Sequence, residues 1–239
     1  DTTLTAEFGV NDYTVVLSAE NGTVTGSGKY QYGATAQISA IPAQGYHFVK
    51  WSDGDTNATR SIVVTSDVNL IAEFAIDVYV VKLIAENGVV TGSGEYHYAH
   101  KVYITATPAE GYHFVKWSDG DTNMARSITV TSDTTLIAEF VANVYKVKLS
   151  ATNGTVIGAG DYEYGSIANI VATPAEGYHF VGWSDGDTTS TRMLVVTSDI
   201  TLTAEFAINI YNVTLLAENG TVTGAGKYQH GDVATITAT

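Results

Sequence analysis

The chain has 239 residues, of which 45% are hydrophobic, so it can bury apolar cores and lacks the composition of a disordered segment. Its 25 acidic and 11 basic residues give a formal net charge of −14, which argues against binding to nucleic acid or to anionic membranes. There is no cysteine, which excludes disulfides, thiolate metal sites and a cysteine nucleophile.

A repeat of 66 residues organises the chain. The pattern Y-x-V-x-L-x-A-x-N-G occurs four times at a constant step, beginning at Tyr13, Tyr79, Tyr145 and Tyr211. We therefore predict three complete repeats, at residues 13–78, 79–144 and 145–210. Residues 1–12 are predicted to be the end of a preceding repeat with its linker, and residues 211–239 the first part of a fourth repeat.

Six strands are predicted in each repeat, because apolar residues recur at every second position and no window shows helical spacing. The predicted strands of the first repeat cover residues 13–19, 23–32, 34–41, 46–52, 61–65 and 70–74. The Asn21-Gly22 pair is typical of a tight hairpin turn, and Gly26 and Gly28 are expected to bulge or bend the second strand. The predicted fold is a tandem array of small all-β domains, each a β-sandwich or a β-grasp-like domain without a clear helix.

The connectors AIDV, VANV and AINI join consecutive repeats. Their apolar residues alternate, so the chain is expected to pass almost straight from the last strand of one repeat into the first strand of the next. Such connectors are too short and too apolar for flexible coil. The neighbouring repeats of the same chain are therefore the first predicted partners, and the array should be a semi-rigid string.

The order of motifs Y-x-V, N-G, Y-x-Y-G, T-P-A-E-G-Y-x-F-V-x-W and T-L-x-A-E-F resembles the divergent B-repeat of internalin-type bacterial surface proteins. The resemblance covers the three complete repeats and both partial ones. It implies an extracellular or cell-surface protein whose repeats act as stalk or adhesive modules. It also points to a β-grasp-like fold, which the related B-repeat has. The sequence contains no run of 18 or more apolar residues, so no membrane-spanning segment is predicted in it.

The recurring tryptophans, Trp51, Trp117 and Trp183, are predicted to anchor the cores, because a domain of this size has few large side chains to bury. Phe48 and Trp51 are three residues apart, so a bulge near Val49 and Lys50 is needed to turn both inward. The alternative is a carbohydrate-binding array, in which outward-facing tryptophans and tyrosines stack on glycans and several weak sites give avidity. Tyr30, Tyr32 and Tyr46 would extend such platforms in the first repeat.

The acidic turns have the D-x-D-x-N spacing of the first half of a calcium loop. The candidate metal ligands are Asp53, Asp55, Asn57, Asp119, Asp121 and Asn123. Thr189 replaces the asparagine in the third repeat. The other interpretation is a polar turn in which Gly54 takes a positive φ and the aspartates cap free amides. Arg60 and its counterparts are expected to pair with these aspartates.

Catalysis is not predicted, because carboxylates such as Asp67 and Glu73 recur and would require identical active sites in repeats that are too small for a sizeable cleft. His47, His113 and His179 recur singly inside a strand and are interpreted as half-exposed strand residues.

Two hypotheses account for the partial repeats at the ends. The sequence can be part of a longer array, or residues 1–8 of one chain can add as a strand to residues 211–239 of another copy and build a head-to-tail fibre.

Overall fold

Alternating apolar residues form strands throughout the repeats in the computed structural model, which describes residues 1–239. The strands of the first repeat are β1 (Asp12–Ala19), β2 (Gly22–Thr25), β3 (Gly28–Gln31), β4 (Thr35–Pro42), β5 (Tyr46–Trp51), β6 (Thr59–Val63) and β7 (Val68–Ile76). No helix is present, which confirms the all-β prediction with its 66-residue period.

The later repeats follow the same order. The second repeat contains β8 (Val78–Ala85), β9 (Gly88–Thr91), β10 (Gly94–His97), β11 (Lys101–Pro108), β12 (Tyr112–Trp117), β13 (Ala125–Thr129) and β14 (Thr134–Ala142). The third contains β15 (Val144–Ala151), β16 (Gly154–Ile157), β17 (Gly160–Glu163), β18 (Ile167–Pro174), β19 (Tyr178–Trp183), β20 (Thr191–Val195) and β21 (Ile200–Ile208). The partial fourth repeat has β22 (Ile210–Val213), β23 (Val222–Thr223), β24 (Gly226–Gln229) and β25 (Thr237–Ala238).

Each complete repeat has one four-stranded and one three-stranded sheet. In the first repeat the orders are β3-β1-β7-β5 and β2-β4-β6, and the other two complete repeats have the corresponding strand orders. In the first repeat β1 and β7 run parallel and the other pairs are antiparallel. The two sheets bury a shared core, to which Val15 and Leu70 contribute from one sheet and Ile38 from the other. The observed fold is therefore the sandwich and lacks the helix of a β-grasp domain.

The predicted second strand, residues 23–32, is divided between the two sheets. Its first half is β2 in the three-stranded sheet, and its second half is β3 in the four-stranded sheet. Gly26, at a φ of 102°, lies at the crossing and allows the chain to change sheet. The six predicted strands thus become seven.

The turn at Asn21-Gly22 is a correction to the predicted hairpin. Asn21 has the expected left-handed conformation, with a φ of 60°. The strands on either side of it do not pair with each other, since β1 pairs with β3 and β7 while β2 pairs with β4. Asn-Gly supplies the positive φ of a tight connection, and here that connection joins the two sheets.

The predicted bulge is present. The register of β5 on β7 shifts between Phe48 and Lys50, which leaves Val49 as the extra residue. Phe48 and Trp51 consequently both pack into the core, and their rings meet edge to face with centroids 5.8 Å apart.

The chain divides into two compact units. One comprises residues 1–107 and 116–139, and the other residues 108–115 and 140–239. The connection between the first and second repeats lies wholly in the first unit, and the two later connections lie wholly in the second. Before β1, the side chains of Leu4 and Phe8 are 93% and 94% exposed, so the predicted strand exchange between copies stays a prediction.

Candidate functional site: acidic turns and joints between repeats

The acidic turn after β5 is organised around Arg60, which lies on β6. The Arg60 guanidinium donates to the carboxylates of both Asp53 and Asp55, with Nη1 at 2.8 Å from Asp55 Oδ2. The Arg60 side chain is only 15% exposed, and its guanidinium carbon lies 5.8 Å from the centre of the Trp51 ring. The two aspartates therefore hold the Arg60 cation against the tryptophan, and we call this arrangement the arginine–aspartate turn.

The two aspartates also bind the backbone of the turn. Asp55 Oδ1 accepts hydrogen bonds from the backbone N–H of Asn57 at 2.8 Å and from its side-chain amide at 2.9 Å. Asp53 Oδ1 accepts the backbone N–H of Asp55, and Gly54 has a φ of 91°. This is the polar-turn interpretation, in which aspartates cap free amides.

The candidate calcium ligands of the second repeat are arranged in the same way. Arg126 donates to Asp119 at 2.5 Å and to Asp121 at 3.0 Å, and Asn123 bonds to Asp121. No group of three or more histidines, aspartates or glutamates that could hold a metal ion is present. Calcium binding stays a prediction, and an ion would have to displace the arginine from carboxylates that it already neutralises.

The third repeat offers a test of the arginine–aspartate turn. The hydrogen bond from Arg192 is the main reason why the pKa values of Asp185 and Asp187 lie below the ordinary value of 3.8. A carboxyl group with a depressed folded-state pKa stabilises the fold above its unfolded pKa, and this contribution is lost as the pH falls through the folded pKa. Stability should therefore fall on acidification, and part of that fall should depend on Arg192.

We expect Arg192→Gln to flatten the decline in melting temperature between about pH 5 and pH 2. The control is Lys146→Gln, which removes a cation from an exposed pair in the same repeat, 3.6 Å from Asp161. Melting followed by circular dichroism across the pH series should show the wild-type decline in the lysine variant. If the melting temperature of the arginine variant declined as steeply as that of the wild type, the proposed role of the arginine–aspartate turn would be contradicted.

The tryptophans lie in the core, as predicted. Trp51 and Trp117 are 0% exposed and Trp183 is 2% exposed, so none of them is available as a stacking platform for sugars. Their indole N–H groups donate to backbone carbonyls of the acidic turns at 3.0 Å. The tryptophan part of the carbohydrate hypothesis is therefore wrong.

The first tyrosine of each Y-x-Y segment is also structural. The hydroxyl of Tyr30 donates to the carbonyl of Gly26, where the chain changes sheet, at 3.0 Å. Its counterparts Tyr96, Tyr162 and Tyr228 make the same bond. The second tyrosine behaves differently, since Tyr32 is 59% exposed whereas its counterpart Tyr98 is partly buried at the boundary between two repeats.

Backbone hydrogen bonds hold the boundary between the first and second repeats, and we call this connection a joint. A single residue, Asp77, separates β7 from β8. Its backbone N–H donates to the carbonyl of Gly45 in the first repeat at 2.8 Å, and its carbonyl accepts the N–H of Tyr98 in the second repeat at 2.8 Å. Asn143 and Asn209 make the corresponding bonds at the next two joints.

Ring-to-backbone packing completes the joint. The Tyr98 ring lies against Gly45 so closely that a Cβ on this glycine would be 2.0 Å from a ring atom, and Gly45 has a φ of 79°. Tyr164 covers Gly111 and His230 covers Gly177 in the same manner. The glycine in the G-Y pair is therefore required both by its backbone conformation and by the ring of the following repeat.

Histidines contribute a side-chain contact at every joint. His47 Nδ1 lies 2.8 Å from Asp77 Oδ1, while His113 and His179 make the equivalent contact with Asn143 and Asn209. The sequence analysis interpreted these histidines as half-exposed strand residues and missed the joint. The signal that could have found it is the recurrence of G-Y-H in phase with the connector and with Y-x-Y.

The second joint also shifts the pKa of a tyrosine, Tyr164. Burial raises the pKa of Tyr164, and the Glu110 carboxylate raises it further through its charge and a hydrogen bond. The Tyr112 and Tyr164 rings meet edge to face with centroids 6.4 Å apart. Aromatic contacts of this geometry add to the free energy of burial and fix the orientation of the rings.

The sequence profile of the divergent InlB B-repeat domain matches residues 13–77, 79–144, 145–210 and 211–239. A protein of Evansella cellulosilytica described as a Gly-rich membrane protein is 26% identical over 234 residues, which cover 91% of this chain and 27% of that protein. Another protein of this organism, described as a membrane protein, is 27% identical over 106 residues, or 42% of this chain and 16% of that protein. The chain thus spans about a quarter of the length of the first relative. Its structure contains no helix with the length and hydrophobicity of a membrane span.

Proposed function

Because the chain belongs to the divergent InlB B-repeat domain family, we propose that it is a non-enzymatic, semi-rigid stalk segment of a bacterial surface protein. The observation that supports this proposal is the joint, which recurs three times with the same backbone bonds and the same ring-on-glycine packing. A flexible tether would not need a glycine matched to a ring of the next repeat. A stalk does, because it must fix the direction in which each repeat leaves the one before it.

An adhesive role is the finer alternative within the same family. It would require exposed side chains that recur from repeat to repeat, and the recurring tryptophans are buried. Among the tyrosines, Tyr32, Tyr103 and Tyr211 are more than half exposed, but they occupy different positions in their repeats. The recurring tryptophans are thus internal and the most exposed tyrosines do not recur, which favours the spacer role over a multivalent glycan-binding surface.

The stalk proposal predicts a narrow distribution of distances between neighbouring repeats. The chain has no cysteine, so spin labels can be placed at Thr65→Cys and Thr131→Cys, two exposed turn positions that are equivalent in the first and second repeats. We expect pulsed electron resonance to give one narrow distance distribution. Tyr98→Ala should broaden it, because the ring that covers Gly45 is lost.

The matched control is Tyr32→Ala, which removes the equivalent ring at a position that is 59% exposed. It should leave the distribution unchanged. A broad distribution in the parent protein, or equal broadening by both substitutions, would refute a semi-rigid array. Circular dichroism of each variant verifies that the repeats themselves remain folded.

A further inference from the structure

The first and last strands of each repeat lie side by side and run parallel. In the first repeat β1 pairs with β7 from Val15↔Val68 to Ala19↔Ala72. The second and third repeats pair β8 with β14 and β15 with β21 over the equivalent residues. The chain therefore enters and leaves every repeat through two neighbouring strands.

This arrangement determines how the repeat responds to a pulling force. Tension on the array draws β1 toward the N-terminal side and β7 toward the C-terminal side. Because the strands are parallel, these opposite pulls slide them past each other and load their ladder of hydrogen bonds together. In an antiparallel hairpin, whose ends lie at one edge, the bonds would instead break one after another.

A side-chain bond reinforces the pair at the same place in each repeat. Asp67, just before β7, accepts the backbone N–H of Thr14 on β1 at 2.8 Å. Asp133 accepts the N–H of Val80, and Asp199 that of Lys146, at the same distance. Charge-assisted bonds of this kind are stronger than bonds between neutral groups.

The core and the joints support the same path. Val15 on β1 and Ala72 on β7 are buried to within 2% of full burial, so sliding the strands would expose apolar surface. Only Asp77 separates β7 from β8, and both its backbone polar groups are bonded. Tension therefore passes from one parallel pair to the next with no slack loop between them.

We infer that the parallel pair of terminal strands is a mechanical clamp, and that the array is a load-bearing tether as well as a spacer. This inference rests on the proposed stalk function and extends it to the force that the stalk withstands. The mechanical clamp is a property of each repeat, because every complete repeat has the same parallel pair.

The direction of pulling tests the clamp without changing its strands. Two exposed cysteines define the axis of force in the first repeat. Asp12→Cys with Val78→Cys pulls β1 and β7 in shear, while Asp12→Cys with Ser66→Cys pulls them apart from the end at which both begin. The two proteins share one attachment point and the same fold.

We expect single-molecule force spectroscopy to give a several-fold higher unfolding force in shear than in peeling at the same pulling speed. The two events are identified by the chain that they release, about 24 nm for 66 residues and about 19 nm for 54 residues of extended chain, less the span of the folded repeat. Equal forces in the two directions, or a lower force in shear, would overturn the clamp.

A side-chain variant adds a second measurement. Asp67→Ala should lower the shear force, whereas Asp67→Asn keeps an oxygen acceptor for the Thr14 N–H without its charge and should lower the force less. Shear forces equal to that of the wild-type protein in both variants would remove Asp67 from the mechanical clamp. The outcome is separable from that of the stalk proposal, because the distance measurement between repeats is made without force. A weak clamp with a narrow distance distribution would leave a spacer that bears no load.

Discussion

Replacing Trp51 with alanine is expected to unfold the first repeat while the second and third stay folded. The Trp51 side chain is 0% exposed and packs against Phe48, so its removal leaves a large cavity in a small core. Truncation of a buried tryptophan costs about 3–5 kcal/mol. That cost is comparable to the whole stability of a marginal domain. The Arg60 guanidinium, which lies over the indole, would also lose its stacking partner.

Thermal melting followed by circular dichroism should show an early transition in the Trp51→Ala protein, followed by the transition of the other repeats. Each repeat in such an array has its own stability plus that of its interfaces, so one repeat can unfold without the rest. Tyr103→Ala is the control, because this ring is 63% exposed and its loss should not shift the melting curve. A wild-type curve for the tryptophan variant would mean that Trp51 is not an anchor of the core.

The strands could be predicted from the sequence because the alternation of apolar residues is local information. The bulge at Val49 could be predicted as well, since two large residues three apart cannot both face a core in a regular strand. In the same way, the acidic turn carried its own signal in Gly54 and the flanking aspartates. These features depend on neighbours along the chain, so no knowledge of the tertiary structure was needed.

The pairing of strands and the contacts between repeats could not be predicted, because no short stretch of sequence determines them. Gly26 indicates a bend, yet a bend within one sheet and a crossing between two sheets require the same positive φ. The parallel pairing of β1 with β7 joins residues 53 positions apart, and their alternation would be the same beside any other strand. The role of Gly45 depends on Tyr98 in the next repeat. The sequence therefore predicts the elements, and tertiary contacts determine the clamp and the joint.

The strand crossing in the third repeat should tolerate no side chain on its glycine. Gly158 lies between β16 and β17 with a φ of 100°, and a Cβ there would be 2.2 Å from the backbone oxygen of Asn169. A left-handed conformation costs a residue other than glycine about 1–2 kcal/mol. Overpacking adds about 1–3 kcal/mol, and here the obstructing atoms are backbone atoms that cannot rotate away. Gly158→Ala should therefore destabilise the third repeat by about 2–5 kcal/mol.

Gly160→Ala, two residues away, is the matched control for Gly158→Ala. Gly160 does not have a positive φ, and the nearest atom to its added Cβ would belong to the Tyr162 side chain at an ordinary contact distance of 3.6 Å. This substitution should be neutral or slightly stabilising, because alanine reduces the conformational freedom of the unfolded chain. Urea unfolding of the two variants separates the explanations. If both lose the same stability, the loss follows from replacing any glycine near the crossing, and if only Gly158→Ala is destabilised, the change of sheet itself requires glycine.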